Sequence, residues 1–161
     1  MRHVWRIVFR QELIAELFDQ ESKEHAGTRS LFDDWQGRFH TLGRRLLSTS
    51  PSDDLLGPIY PAGDLPGAEQ RLRDFLIGRF GGPQTYIEQR GHPRLRARHS
   101  PFPINQTVRD RWMRLMNSAL GEAALPAEAE QVLRKFLDGM STFMINQNEE
   151  MSVEQSRESP K

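Results

Sequence analysis

The sequence predicts an all-α fold, and three observations carry that prediction. Apolar residues recur at helical spacing along most of the 161-residue chain. The stripes they form are separated by Gly, Pro and cap-forming side chains, which punctuate helices. No segment shows a convincing strand alternation, and no internal repeat is present. The length suits one hydrophobic core with a small appendage.

The first stripe, Val4, Ile7, Val8, Leu13, Ile14, Leu17 and Phe18, predicts a helix from about Val4 to His25, closed by Ala26-Gly27. Thr28 or Ser30 can cap the next helix. Leu31, Trp35, Phe39, Leu42 and Leu46 give it an i, i+4, i+8, i+11, i+15 stripe. Ser48 to Ser52 reads as a loop, and Asp53-Asp54-Leu55-Leu56 as a short helical turn. Asp64 is placed to cap a helix with Pro66 in its first turn and an apolar face of Ala68, Leu72, Phe75, Leu76 and Phe80. Gly81-Gly82-Pro83 stops it. A loop-rich crossing follows, with one short helix from about Pro93 to His99. Asn105 caps a helix with the stripe Val108, Trp112, Leu115, Met116 and Ala119. Pro126 opens the last one, with Val132, Leu133, Phe136, Leu137, Met140, Phe143 and Met144 inward. Residues 147–161 are polar and read as a disordered tail. The expected division is a helical extension over 1–26, a main domain over 27–146, and the tail.

Composition excludes several classes. The 22 basic side chains balance 22 acidic ones, so no global field favours nucleic acid or an anionic membrane. The chain has no cysteine, which removes disulfides, thiolate metal sites and covalent haem attachment. No apolar run approaches the roughly 20 residues that span a bilayer. The start, Met1 to Phe9, is only weakly signal-like. The expectation is a soluble, cytoplasmic protein.

The run from Gly91 to Ile104 is the most informative. It places His92 and His99 in an arginine-dense segment between two helices. An imidazole there, with cations beside it and apolar stripes around it, is what a haem iron requires. The six residues between the histidines are not a usual zinc spacing. Taken alone, His99 reads more readily as an ordinary surface or hydrogen-bonded histidine, the arginines as solvated charges, and Trp112 as core.

Several motifs in order change that balance. Tyr60-Pro61, Asp64 through Arg73, Phe80-Gly81-Gly82-Pro83-Gln84-Thr85-Tyr86, Gly91 to Ile104, and Arg109-Asp110-x-Trp112-Met113-Arg114 closely resemble the group II truncated haemoglobins. The likeness covers roughly residues 27 to 146. It implies a two-over-two helical sandwich, here with an extra N-terminal helix, and haem b (iron protoporphyrin IX) as cofactor. It implies that His99 is the axial ligand and that His92 fixes the preceding loop. Arg98 and Arg71 would meet the propionates. Trp112 would direct its indole N–H at the distal side, with Tyr60 adding a second donor. Ala68 and Leu72 would face the ligand from the distal helix. Phe75, Leu95, Ile104 and Met116 are expected as apolar haem contacts, although each also sits on a stripe that any helical core would bury.

The chain departs from that family in three places: the extension over 1–26, a single Gly27 where a Gly-Gly pair is usual, and a segment from His40 to Tyr60 about seven residues longer than expected. With Phe32-Asp33 and Arg38-Phe39 in register, His40 stands where the family has its distal tyrosine. It is expected to hydrogen-bond a water or the ligand. The leading functional expectation is reversible binding of O2, with CO and NO as further ligands. A redox enzyme on the same scaffold, an NO dioxygenase or peroxidase-like activity, would need an external reductase. A haem-free module touching nucleic acid through residues 90–114 is a third class, against which the balanced charge speaks. The extension can pack on the domain or mediate a homodimer.

Overall fold

The computed structural model describes residues 31–60 and 63–148. The expected first helix, its Gly27 stop, the Thr28 and Ser30 caps, and the tail beyond residue 148 lie outside the described residues. Six α-helices follow one another: α1 (Leu31–Thr49), α2 (Leu65–Arg79), α3 (Thr85–Arg90), α4 (Leu95–His99), α5 (Gln106–Glu122) and α6 (Ala127–Phe143). Two short 3-10 turns, Ser50–Ser52 and Gly57–Ile59, lie between α1 and α2. No strand occurs among the described residues.

The apolar stripe of α1 drives it into the interior, where Phe39, Leu42 and Leu46 are buried. The helix runs further than the loop expected from Ser48 onward. Leu46 and Leu47 are both buried, which holds the last turn in place. Three successive hydroxyls then satisfy the carbonyls left open at the helix end. Ser48 Oγ donates to the Arg45 carbonyl at 2.9 Å, while Thr49 Oγ1 and Ser50 Oγ donate to that of Leu46 at 3.0 and 2.7 Å. Pro51 stops the α-helix, and a 3-10 turn continues it. The turn expected over Asp53–Leu56 is present. Its carboxylate accepts the N–H groups of Leu55 and Leu56 at 3.0 and 3.1 Å.

Asp64 occupies the N-cap position of α2 but does not cap it through its side chain. Its carboxylate instead takes Arg71 Nη1 at 2.7 Å, a charge-assisted bond stronger than a neutral one. That pair crosses directly over Gly67, where a Cβ would lie 2.1 Å from Asp64 Oδ1 and 2.8 Å from Arg71 Nη1. Helix α3 was not anticipated. It forms because Tyr86 is buried edge-to-face on Phe75, with centroids 5.8 Å apart. Asn105 caps α5 as expected, accepting the Val108 N–H at 2.9 Å.

The helices form two layers, α1 with α2 and α5 with α6, joined where α1 packs on α5. Leu42, Leu46, Leu76, Met116, Leu120 and Leu133 are its innermost side chains. Each such burial contributes about 1.5–3 kcal/mol. Phe80 sits at the crossing, stacked on Phe39 at 6.2 Å and edge-on to Phe136 at 5.3 Å. Arg45 pairs with Glu122 between α1 and α5, and Arg109 with Asp138 between α5 and α6. Helix α4 buries none of its residues and is held by polar anchors and ring contacts.

Candidate functional site

Those anchors fix the ring of His99. The chain turns back before α4 through two left-handed residues, Gly91 at φ 71° and Arg94 at φ 40°. The second is unusual for a residue with a side chain. His92 Nδ1 accepts the Arg94 N–H at 3.2 Å and supports this turn. Arg98 closes it from the other side, donating through Nε to the Pro93 carbonyl at 2.9 Å and through Nη2 to that of Arg90 at 2.8 Å. Downstream, Asn146 Nδ2 donates to the carbonyls of His99 and Phe102 at 3.2 and 2.9 Å. Its Oδ1 accepts the Ile104 N–H at 3.0 Å. Arg96 donates to the carbonyls of Phe143 and, at 3.0 Å, Ile145, with its guanidinium 5.5 Å from the Phe143 ring centre.

Within this frame His99 Nδ1 lies 2.7 Å from the Leu95 carbonyl. A carbonyl can only accept, so Nδ1 carries the proton. In the neutral ring Nε2 therefore keeps its lone pair, the arrangement a metal-binding imidazole needs.

A second cluster forms around Trp112. The Tyr60 hydroxyl stands beside Trp112 and Ser50. Burial pushes this hydroxyl above its ordinary range, outweighing these two polar neighbours, which act the other way. The neighbouring residue on α5, Arg111, places Nη1 2.8 Å from Asp53 Oδ2. Burial pushes the Asp53 carboxyl up, but the N–H groups of Leu56 and Leu55 together with Arg111 outweigh it and hold the group below its usual range. Two consecutive residues of α5 thus tie down both ends of the segment from Asp53 to Tyr60.

The remaining candidates are placed unevenly. Leu72, Phe75 and Trp112 pack against the core with one side and stay partly exposed. Ala68, Leu95 and Ile104 are half-buried, whereas Met116 is sealed inside the core. Arg71 borders a cavity of about 160 Å³ with Asp74, Tyr86 and Arg90. Arg98 is engaged with backbone carbonyls of its own turn.

His40 does not join the Trp112 cluster. Its side chain is 47% exposed, and Nε2 lies 3.3 Å from Glu69 Oε1 on α2. The expectation that it reaches the ligand side is corrected for a physical reason. Helix α1 continues past His40 to Thr49, and Ser50 just beyond its end is the residue that stands beside Tyr60, while His40 stays well back on the exposed side.

Sequence reasoning missed Ser50, the Asp53–Arg111 pair and Asn146. A hydroxyl run behind an apolar stripe, Ser48-Thr49-Ser50, is a signal for back-bonding at a helix end. Asp53 two residues before Leu55 is one for an Asx turn. Nothing local to Asn146 points to its role.

Comparison with known proteins agrees with this architecture. Residues 30–146 match the family model described as bacterial-like globin. The chain is 40% identical over 98 residues to the group 2 truncated hemoglobin YjbI of Bacillus subtilis, spanning 61% of this chain and 74% of that relative. A solved hemoglobin from Thermobifida fusca superposes with a TM-score of 0.67 at 46% identity, over 69% of this chain and 90% of that one. One from Chloroflexus aurantiacus gives 0.67 at 38% identity, over 70% and 92%. With its all-α two-over-two fold, the chain belongs to the bacterial-like globin family and is a group II truncated haemoglobin in kind.

Proposed function

We propose that this globin holds haem b through His99 and binds O2 reversibly, with CO and NO as further ligands. The observation that carries the reading is the His99 ring, whose Nδ1–H is committed to the Leu95 carbonyl at 2.7 Å while Nε2 keeps its lone pair. Partly open apolar side chains suit a flat apolar group: Leu72, Phe75, Trp112, Leu115, Val132 and Met140 each pack against the core and stay partly exposed. His99 would hold the haem iron through Nε2, and the haem would supply a metal able to bind a diatomic ligand.

The chain's own residues then divide the work. Arg98, His92 and Asn146 orient α4, so the imidazole meets the iron in one tautomer and one direction. Trp112 and Tyr60 supply hydrogen-bond donors on the opposite side. O2 is a better acceptor than CO, so these donors favour O2. Arg71, beside the cavity it shares with Arg90, offers a planar guanidinium suited to a propionate carboxylate. The similarity to proteins named as truncated hemoglobins supports the same reading.

Reconstitution with haem tests it. His99→Ala is expected to abolish stable incorporation, read as the ratio of Soret to protein absorbance. His92→Ala, which loses only a turn contact, should retain haem. Normal haem retention by His99→Ala would overturn the axial assignment.

A further inference from the structure

The balanced total charge of this chain hides a local asymmetry. Between Glu88 and Asp110 no acidic residue occurs, whereas Arg90, Arg94, Arg96, Arg98 and Arg109 do. Arg109 is neutralised by Asp110 and Asp138. The other four arginines are exposed, and among the described residues none of them pairs with a carboxylate. Arg96 and Arg98 give N–H groups to the carbonyls of Ile145, Pro93 and Arg90, which accept hydrogen bonds but bring no negative charge. The last of these bonds, at 2.8 Å, also draws the Arg98 guanidinium onto the Arg90 backbone. The four cations therefore share one short turn and helix, and they repel one another unless a counter-charge covers them.

The same chain supplies that counter-charge. Glu149, Glu150 and Glu154 follow α6 with no basic residue before Arg157. The point from which this run starts is pinned beside the arginines. Arg96 Nη1 donates to the Ile145 carbonyl at 3.0 Å, and Asn146 Nδ2 to that of His99 at 3.2 Å. The backbone N–H groups of Asn146 and Gln147 donate to the Ile104 carbonyl at 2.8 and 3.1 Å. An extended chain covers about 3.3–3.6 Å per residue and a helix rises only about 1.5 Å, so the run outreaches the short helix α4. The N-terminal extension is a poorer match. It carries Arg2, Arg6, Arg10 and Lys23 besides its acids, and it enters the fold at α1, which packs on α2 and α5.

We infer that the acidic run over residues 149–154 docks, within its own chain, on the arginine face formed by α4 and the turn before it. Each exposed ion pair contributes little by itself, but the tether holds the run at high local concentration, so several weak pairs act together. The contact is electrostatic, and salt releases it. Docking screens the face, and release opens it to other anions. The inference does not depend on the haem reading.

The chain has no cysteine, so Ser156→Cys gives a nitroxide label one attachment point. The measurement is the paramagnetic loss of backbone amide signals in the full-length, isotope-labelled protein, relative to the same chain carrying a diamagnetic analogue of the label. The amides of residues 90–98 should lose about half of their intensity or more at about 0.01 M salt and regain most of it at about 1 M, where the screening length falls from about 30 Å to about 3 Å. Glu149→Gln, Glu150→Gln and Glu154→Gln combined in one chain keep its length and shape but remove the charge, and should restore the signals at low salt. Arg94→Gln should restore them in part.

Amides over residues 90–98 that keep full intensity at low salt overturn the inference. So does a loss that persists in the triple glutamine variant or at high salt, since the tether alone then accounts for it. Mixing isotope-labelled chain that lacks the nitroxide with nitroxide-bearing chain that lacks the isotope should leave these amides unaffected. A loss in that mixture means that the run docks on a second copy, and overturns the contact within one chain. Signals that ignore the nitroxide but shift on addition of free polyglutamate give the face to an external acidic partner instead.

Discussion

The two sides of this site are built in opposite ways. The His99 side is assembled over short chain distances. The ring bonds to the carbonyl four residues back, Arg98 clasps Pro93 and Arg90, and His92 braces Arg94, with the distant anchors, Asn146 and the Arg96 bonds to Phe143 and Ile145, all converging on one short stretch at the end of α6. The Trp112 side is assembled over long ones. Ser50, Tyr60 and Trp112 come from the end of α1, the following loop and α5, and Asp53 reaches Arg111 across 58 residues. A locally built site survives changes elsewhere in the chain, because its geometry is set by its own turn. A collaborative one shifts whenever a connecting segment changes length, as the segment before Tyr60 has here.

That contrast can be broken most sharply at Trp112. On the proposed function, Trp112→Phe keeps the aromatic bulk but removes the N–H, and should speed O2 release roughly ten- to hundredfold while changing CO affinity less. Because Trp112 and Tyr60 stand side by side, Trp112→Phe and Tyr60→Phe should combine non-additively in stopped-flow rates. Additive effects would mean that the distal side is not collaborative at all.

Asn146→Ala sharpens the comparison from the other side, since it removes one of the two long-range ties of the α4 segment and leaves that of Arg96. Losing three hydrogen bonds near the surface should cost about 1–2 kcal/mol in denaturant unfolding and accelerate haem loss. Distal O2 release should stay near wild type. A large change in O2 release would show that α4 and α5 are coupled.

The Asp53–Arg111 tie predicts a pH dependence on the distal side. The folded carboxyl titrates below its ordinary value, so its contribution is complete above the unfolded pKa of about 4 and is lost as pH falls through the folded pKa. Thermal unfolding across that acid range should fall less steeply for Asp53→Asn than for wild type. Equal slopes would mean that the pair does not tie the loop.

The smallest effect is expected at His40. His40→Leu removes an exposed contact with Glu69, which should alter stability by no more than about 0.5 kcal/mol and leave ferric spectra and O2 rates unchanged. A changed ferric spectrum would return this residue to the ligand side.

The same contrast explains what could be read from the amino acids. The helical class, the cap at Asn105, the opening of the last helix at Pro126 and most described positions of the stripes of α1, α2, α5 and α6 are local properties found in the structure, whereas Phe143, expected inward, is 40% exposed. Helix α3 was missed because its six residues carry too little periodicity, and the burial of Tyr86 against Phe75 decides it. The Asp64 cap was misassigned because a guanidinium seven residues on competes for the same carboxylate. His40 was misplaced because motif order cannot say whether extra residues bulge into a loop or extend a helix. Leu46 and Leu47 decide that question by being buried.

Asn146 carries one further consequence. Its side chain gives two protons, to His99 and Phe102, and receives one, from Ile104. An aspartate of the same shape would still receive, but would face two carbonyl oxygens with negative charge. At this position the isosteric acid should therefore be more disruptive than alanine, a reversal of the usual ranking by size. The placement of α4 rests on telling an amide from a carboxylate, which shape alone does not do.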